Sequence, residues 1–112
     1  MAELKTRMWV EALRWRAEGA GASVYVAHRG DADAGAVVVK VSLLDGTAQL
    51  YTPTRTLEGE RCWVAPLGEE PLVEARADAY ANRRLEDDPD LWVIEIEDRY
   101  GRHFLTEPVE KF

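Results

Sequence analysis

Residues 36–44 read Ala-Val-Val-Val-Lys-Val-Ser-Leu-Leu and decide the fold. Side chains alternate between the two faces of a β-strand, so one face of this stretch carries Val37, Val39, Val41 and Leu43. Val38 lies on the opposite face and makes that face partly apolar as well. Apolar cover on both faces is typical of a strand inside a sheet. We therefore predict a central strand over residues 36–44.

The residues that follow predict a hairpin. Asp45-Gly46 is a two-residue turn signal, because a type I′ turn needs positive φ at both positions. Residues 47–52 would then return antiparallel to the central strand. A polar loop is expected over residues 53–60.

Two segments predict amphipathic helices. Residues 5–18 place apolar side chains on a wide face at helical spacing, and Gly19 and Gly21 follow where such a helix would end. The second helix is expected from Pro71 to about Leu85, because proline suits the first helical turn.

Shorter alternating segments predict further strands at residues 23–29, 61–65, 91–98 and 102–106. The resulting order is α-β-β-β-β-α-β-β. Its hairpins favour a mainly antiparallel sheet of five to six strands, with both helices covering one face. The expected fold class is therefore α+β.

Length and charge exclude several classes of protein. The 112 residues suit a single domain, residues 1–112, with a tail that frays after about residue 107. No apolar run is long enough to span a membrane or to form a signal sequence. With 21 acidic against 14 basic residues the net charge is −7, which makes nucleic acid an unfavourable partner. A single cysteine, Cys62, excludes a disulfide framework and favours a reducing cytoplasm.

Acidic residues in two turns are the first candidates for a site. Asp31 and Asp33 lie in a loop of small residues that resembles the start of a calcium loop, but position 12 of that motif would be Ser42, inside a strand. A tight structural turn is the simpler interpretation. The alternative is an anion or nucleotide site formed by this loop, the turn at Asp90 and Arg83.

Metal and nucleophile chemistry finds little support in the sequence. His28, His103 and Cys62 are not spaced as zinc ligands, and no Gly-x-Ser-x-Gly or phosphate-binding loop is present. A Cys–His pair from Cys62 with either histidine stays open in principle. We expect no catalytic residue, no metal and no cofactor.

Arginine and tryptophan supply the remaining candidates. Arg16 and Arg76 each lie within the apolar arc of their helix, where their stems can cover apolar surface or their heads can bind an anion or an acidic partner. Trp15 lies at the flank of the first helix. Exposed tryptophan beside arginine is typical of interface centres.

Segments spread over most of the chain resemble a family of small bacterial proteins catalogued as a domain of unknown function, number 1491. The resemblance rests on Leu4-Lys5, Trp9-Val10-x-Ala12-Leu13-x-x-Arg16, Arg29 to Val41, Leu50-Tyr51, Gly59-Glu-Arg-x-Trp63, Asp88-Pro-Asp-Leu-Trp-Val93 and Glu95-x-Glu-Asp98. The resemblance implies a short cytoplasmic protein, and it assigns no activity to any residue.

These observations favour a small non-enzymatic binding domain whose partner is a second copy of the chain or an acidic protein. The alternative is a small enzyme or anion- or nucleotide-binding protein that uses the Asp31/Asp33 loop with nearby arginines.

Overall fold

A computed structural model describes residues 4–110. In chain order the elements are α1 (Thr6–Gly19), β1 (Ser23–His28), β2 (Val37–Ser42), β3 (Thr47–Arg55), β4 (Arg61–Val64), β5 (Leu72–Val73), α2 (Glu74–Asp87), β6 (Trp92–Glu97) and β7 (Val109–Glu110). The predicted α+β class is confirmed.

The strands form one mixed sheet in the order β1-β6-β2-β3-β4-β7, and β5 pairs with the start of β3. Most neighbours are antiparallel, but β2 runs parallel to β6 and β4 runs parallel to β7. The parallel β2–β6 pair arises because α2 carries the chain across the sheet before β6 begins, as parallel pairing requires. β6 thereby enters between β1 and β2, and β1 is left at the edge.

The helices lie on opposite faces of this sheet, so the expectation that both cover one face is wrong. Val39 of β2 packs in a core with Leu13 of α1, whereas Val38 packs in a second core with Ala77 of α2. β2 is buried along its whole length, which confirms the predicted central strand. Its two apolar faces each need a helix, and this is the physical reason for the three-layer arrangement.

The connection from β2 to β3 is longer than the predicted two-residue turn. Leu43 N–H donates to the carbonyl of Thr47, and the loop between them has positive φ at Leu44 (64°) and Gly46 (87°). The Asp45 carboxylate accepts hydrogen bonds from the N–H and the hydroxyl of Thr47. This side-chain cap stabilises a three-residue loop, residues 44–46, in place of a type I′ turn.

The predicted strand over residues 102–106 is wrong. The buried carboxylate of Asp98 accepts hydrogen bonds from Nε, Nη2 and the backbone N–H of Arg102, each within 2.9 Å, and this folds the chain into a turn. The Arg102 guanidinium holds the pKa of Asp98 below its ordinary range. Beyond the turn, β7 pairs with β4 where a frayed tail was expected, and residues 111–112 lie outside the described residues.

The second helix begins later than predicted, at Glu74, because Leu72 and Val73 pair with β3 first. Both helices have 14 residues, about 21 Å at 1.5 Å per residue. No helix within residues 4–110 has the length and apolar composition needed to cross a bilayer.

A lysine on the central strand is the only charged side chain in β2 and is only 6% exposed. Lys40 Nζ lies 2.7 Å from Asp78, 2.9 Å from Glu95 and 3.1 Å from Glu74. Burial lowers the pKa of Lys40, but hydrogen bonds to the three carboxylates outweigh this effect and raise it well above its ordinary value. The lysine is therefore a permanent cation that joins β2 to β6 and to α2.

We expect Lys40→Met to lower the free energy of unfolding by about 3 kcal/mol near neutral pH. This is the low end for breaking a buried ion pair, because the three carboxylates retain some water. Lys5→Met is the matched control. Lys5 is exposed and lies 3.8 Å from Asp33, so its loss should cost less than about 1 kcal/mol. Chemical denaturation measures the free energy of unfolding of both variants. Equal decreases in the two variants would contradict the role of Lys40 as a buried, stabilising cation.

The destabilisation of Lys40→Met should shrink as the pH falls below 4.5, the ordinary pKa of a glutamate. A hydrogen bond from Ser42 and another from Lys40 hold the pKa of Glu74 below that value in the folded protein. The stabilisation linked to that lowered pKa is present above pH 4.5 and is lost as the pH falls through the folded-state pKa. A destabilisation that stays constant down to pH 3 would contradict this linkage, since about that pH most carboxyls are protonated.

Candidate functional site

The loop that carries Asp31 and Asp33 meets the turn that carries Asp90. Asp31 N–H donates to the carbonyl of Asp90 at 2.9 Å, and a Cβ built on Gly30 or Gly35 would overlap that same carbonyl oxygen. The two segments therefore converge in space, as the alternative hypothesis requires. They meet through their backbones.

The side chains of this loop serve its own structure. Asp31 Oδ2 accepts hydrogen bonds from the N–H groups of Asp33 (3.2 Å) and Ala34 (2.8 Å). The Asp31 carbonyl accepts the indole N–H of Trp92 at 2.7 Å. Within residues 4–110 no group of three or more His, Cys, Asp or Glu side chains is placed to hold a metal ion. The loop is thus a folded turn without a calcium-like cluster.

The loop also caps the first helix. Thr6 and Arg7 donate their backbone N–H groups to the carbonyls of Asp33 and Ala32, and the Thr6 hydroxyl donates to Gly35 at 2.7 Å. The first N–H groups of a helix have no partner within it, so these carbonyls satisfy them. This explains why α1 begins at Thr6 and how its start is fixed on the sheet.

The arginine and tryptophan candidates lie apart. Arg16 is partly buried and donates from Nε and Nη2 to the carbonyl of Phe104, a residue with positive φ (59°). Trp15 is 84% exposed on α1, while Arg76 and Arg83 are exposed on α2. Because α1 and α2 lie on opposite faces of the sheet, Arg16 and Arg76 do not face a common site.

The Cys–His pairs considered from the sequence do not form. Cys62 lies on β4 and His28 on β1, four sheet positions away and so about 19 Å at the usual strand spacing. His103 packs edge-on against Tyr51 on the α1 face, whereas Cys62 alternates with Trp63 and points to the other face. Burial raises the pKa of the Cys62 thiol, which disfavours the reactive thiolate.

A feature missed from the sequence lies along the edge strand β1. A groove of about 600 Å³, the α1-face groove, runs between α1 and β1. Its floor is formed by the buried side chains of Val10 and Trp92, and its walls include the half-exposed Met8 and Val26. Its rim carries Arg7, Glu11, Arg14 and Arg29. The groove is therefore apolar inside and net positive at its mouth.

A second groove, the α2-face groove, borders the same strand on the other face of the sheet. It encloses about 300 Å³ and is lined by Ala27, His28, Asp78, Ala81, Asn82, Leu85 and Val93. His28 Nδ1 lies 2.8 Å from the carbonyl oxygen of Leu91, so Nδ1 carries the proton in this contact. Asp78 is also a partner of Lys40. This groove is smaller and more polar than the first.

The sequence gives no direct signal for these grooves, because they depend on β1 being an edge strand. The only hint is that Tyr25 and Val26 are apolar on opposite faces of the same short strand. They are 52% and 38% exposed.

Comparison with known proteins identifies the family of the chain. The profile of DUF1491, described as a protein of unknown function, matches residues 4–106. The chain belongs to the DUF1491 family. A crystal structure and an NMR structure of a DUF1491 family protein from Caulobacter crescentus CB15 are 53% and 52% identical to it, with TM-scores of 0.88 and 0.85. They cover 96% and 99% of this chain, and it covers 100% of each.

A more distant relative has the same fold. The solution structure of a protein from A. tumefaciens is 30% identical, covers 98% of each chain and has a TM-score of 0.79. A comparison with curated proteins finds no match. Membership of the family thus agrees with the observed fold, and it assigns no activity to the chain, as the resemblance in the sequence implied.

We expect Gly35→Ala to lower the free energy of unfolding by about 2 kcal/mol or more, because its Cβ overlaps the Asp90 carbonyl oxygen and forces the capping loop away from the turn. Gly19→Ala is the control. A Cβ there meets nothing within 4 Å and lies at a helix end, so stability should stay level or rise by up to about 1 kcal/mol. Thermal unfolding of both variants measures this, and a Gly35→Ala protein as stable as Gly19→Ala would disprove the close contact.

Proposed function

We propose that this protein is a non-enzymatic binding domain that takes an extended, acidic segment of a partner protein as an additional strand beside β1. The observation that carries the proposal is that the outer edge of β1 has a groove on each face of the sheet. Strand addition joins main-chain hydrogen bonds at a sheet edge with pockets for alternate side chains.

The edge itself is suited to strand addition. No other strand within residues 4–110 pairs with the outer side of β1. Its sequence, Ser-Val-Tyr-Val-Ala-His, contains neither proline nor lysine, the residues with which proteins commonly block sheet edges. The one irregularity is a bulge between Val26 and His28. The regular edge available to a partner is therefore Ser23–Val26.

The two grooves match the alternation of an added strand. Val26 lines the α1-face groove, while Ala27 and His28, beyond the bulge, line the α2-face groove. A strand laid against β1 would point successive side chains to opposite faces of the sheet. Side chains of the added strand that lie near Val26 and point to the α1 face would therefore enter the α1-face groove, and their neighbours on the other face would point toward the α2-face groove.

Charge selects an acidic partner. The rim of the α1-face groove carries Arg7, Arg14 and Arg29 against one carboxylate, Glu11. Arg14 Nε forms an ion pair with Glu18 at 3.4 Å. The Arg29 guanidinium lies over the Trp92 ring, 5.3 Å from its centroid, and this stacking leaves the N–H groups at the edge of the guanidinium available for hydrogen bonds. Opposite charge at a rim favours encounter and orientation. A second copy would bring the same three arginines to the interface, so an acidic segment of another protein suits the site better than self-association.

We infer that this binding takes place in the bacterial cytoplasm. The single cysteine supports this location, because it is buried and forms no disulfide, as in a reducing compartment. The relatives with known structures come from Caulobacter crescentus and A. tumefaciens.

The test uses a synthetic peptide, acetyl-Thr-Glu-Thr-Val-Thr-Glu-Thr-amide, which places glutamate, valine and glutamate on one face of a strand. Calorimetric titration at low salt should detect binding that weakens as salt is added, because exposed charges are screened. The double variant Arg7→Glu/Arg29→Glu should bind about 5- to 30-fold more weakly, as expected for a loss of 1–2 kcal/mol.

Two controls make the result specific. Arg76→Glu reverses an exposed arginine on α2 outside both grooves and should bind the peptide like the unmodified protein. A peptide with lysine in place of both glutamates should not bind. Equal binding of the two peptides would overturn the proposal, and so would a stable dimer of the protein that buries β1 against a second copy.

A further inference from the structure

We propose that a separate cavity, between the start of α1 and the β3–β4 end of the sheet, binds a small flat heteroaromatic molecule of the nucleobase class. The cavity encloses about 320 Å³ and is called here the indole cavity, because Trp9 and Trp63 line it together. The other lining residues are Leu4, Thr6, Asp33, Ala34, Gly35, Ala36, Val37, Pro53 and Arg61. It shares no lining residue with the grooves beside β1.

Flat apolar surfaces form much of this cavity. The rings of Trp9 and Trp63 stack with their centroids 5.5 Å apart and their planes 27° from parallel. Trp63 is 5% exposed, and its indole N–H donates to Glu107 at 3.0 Å, so its ring is fixed. Trp9 is half-buried, and Pro53 lies beside Trp63 across the β3–β4 pair. Because Trp63 is covered, a flat ring entering the cavity would stack on the partly exposed ring of Trp9, an interaction that every nucleobase can make.

The lining of the indole cavity also includes one acidic and one basic side chain. Asp33 is an acceptor on the loop before β2, and Arg61, the first residue of β4, carries a guanidinium whose five N–H donors can serve more than one partner. Lys5 Nζ lies 3.8 Å from Asp33 and balances part of its charge. A bare anion would meet the Asp33 carboxylate, and a bare cation would meet the Arg61 guanidinium. The pair suits a neutral molecule with donors and acceptors at its edge, as a nucleobase has.

Size narrows the class further. Pockets for small molecules commonly enclose about 300–1,000 Å³, so this cavity lies at the lower limit. It has room for a free base or a nucleoside and is too small for a dinucleotide cofactor. The net charge of −7 opposes the phosphate chain of a nucleic acid, so the inferred ligand is the small molecule.

Each of the four tryptophans has an indole N–H group whose NMR signal reports on ligand binding nearby. Proton–nitrogen NMR spectra are recorded as adenosine, guanosine, uridine and nicotinamide are added in turn. We expect saturable shifts of the Trp9 and Trp63 indole signals with at least one of these probes. The Trp15 and Trp92 signals should stay unchanged, because neither residue lines the indole cavity. Indole, which stacks but lacks acceptor edges, and inorganic phosphate should bind at least tenfold more weakly or not at all.

Variants separate the stacking and polar contributions. Trp9→Leu should weaken binding by about 5- to 150-fold, the range for losing one base–aromatic stack. Trp15→Leu, at the 84% exposed tryptophan outside the cavity, should bind normally. If Trp9→Leu does not fold, Arg61→Gln and Asp33→Asn replace exposed side chains and should each weaken binding several-fold.

Three results would overturn the proposal. One is the absence of any saturable Trp9 or Trp63 shift with all four probes. Another is binding of indole or phosphate as tight as that of the best probe. The third is an oligonucleotide that binds more tightly than its nucleosides, which would assign the cavity to nucleic acid.

Discussion

The buried ammonium group of Lys40 is the constraint on which the arrangement of the sheet depends. A cation on a strand that is covered on both faces is stable only if its charge and its hydrogen-bond donors are satisfied. Glu74 and Asp78 come from α2 and Glu95 from β6, so one group ties the central strand to its parallel neighbour and to the helix above them. Because Asp78 also lines the α2-face groove, the ion-pair network and the proposed binding edge share a side chain.

The opposite face depends on backbone contacts instead. The loop before β2 rests on the Asp90 carbonyl, accepts the Trp92 indole N–H and caps α1 through Thr6. These contacts set the position of α1 over β6 and therefore the width of the α1-face groove, whose floor includes Trp92. They also place Asp33 and Trp9 at the indole cavity. A single loop thus determines the shape of two candidate sites, and for this reason its small residues cannot be enlarged freely.

The sequence predicts local structure well because alternation and helical spacing are local properties. Val38 on the reverse face of β2 correctly predicts a central strand, and the Asp31 and Asp90 segments do meet. The order of the strands is a non-local property, set by the crossover that inserts β6 between β1 and β2. Without that order β1 cannot be recognised as an edge. Lys40 is missed for a similar reason, since one lysine among valines gives no sign that three distant carboxylates surround it.

NMR of the protein with the bound acidic peptide tests most directly whether a partner strand pairs with β1. Strand pairing predicts intermolecular contacts between the peptide backbone and Ser23–Val26. It also predicts slower hydrogen exchange at the outward-facing amides of those residues, because they gain hydrogen-bond partners in the complex. Peptide contacts confined to α1, with amide exchange in β1 unchanged, would contradict it.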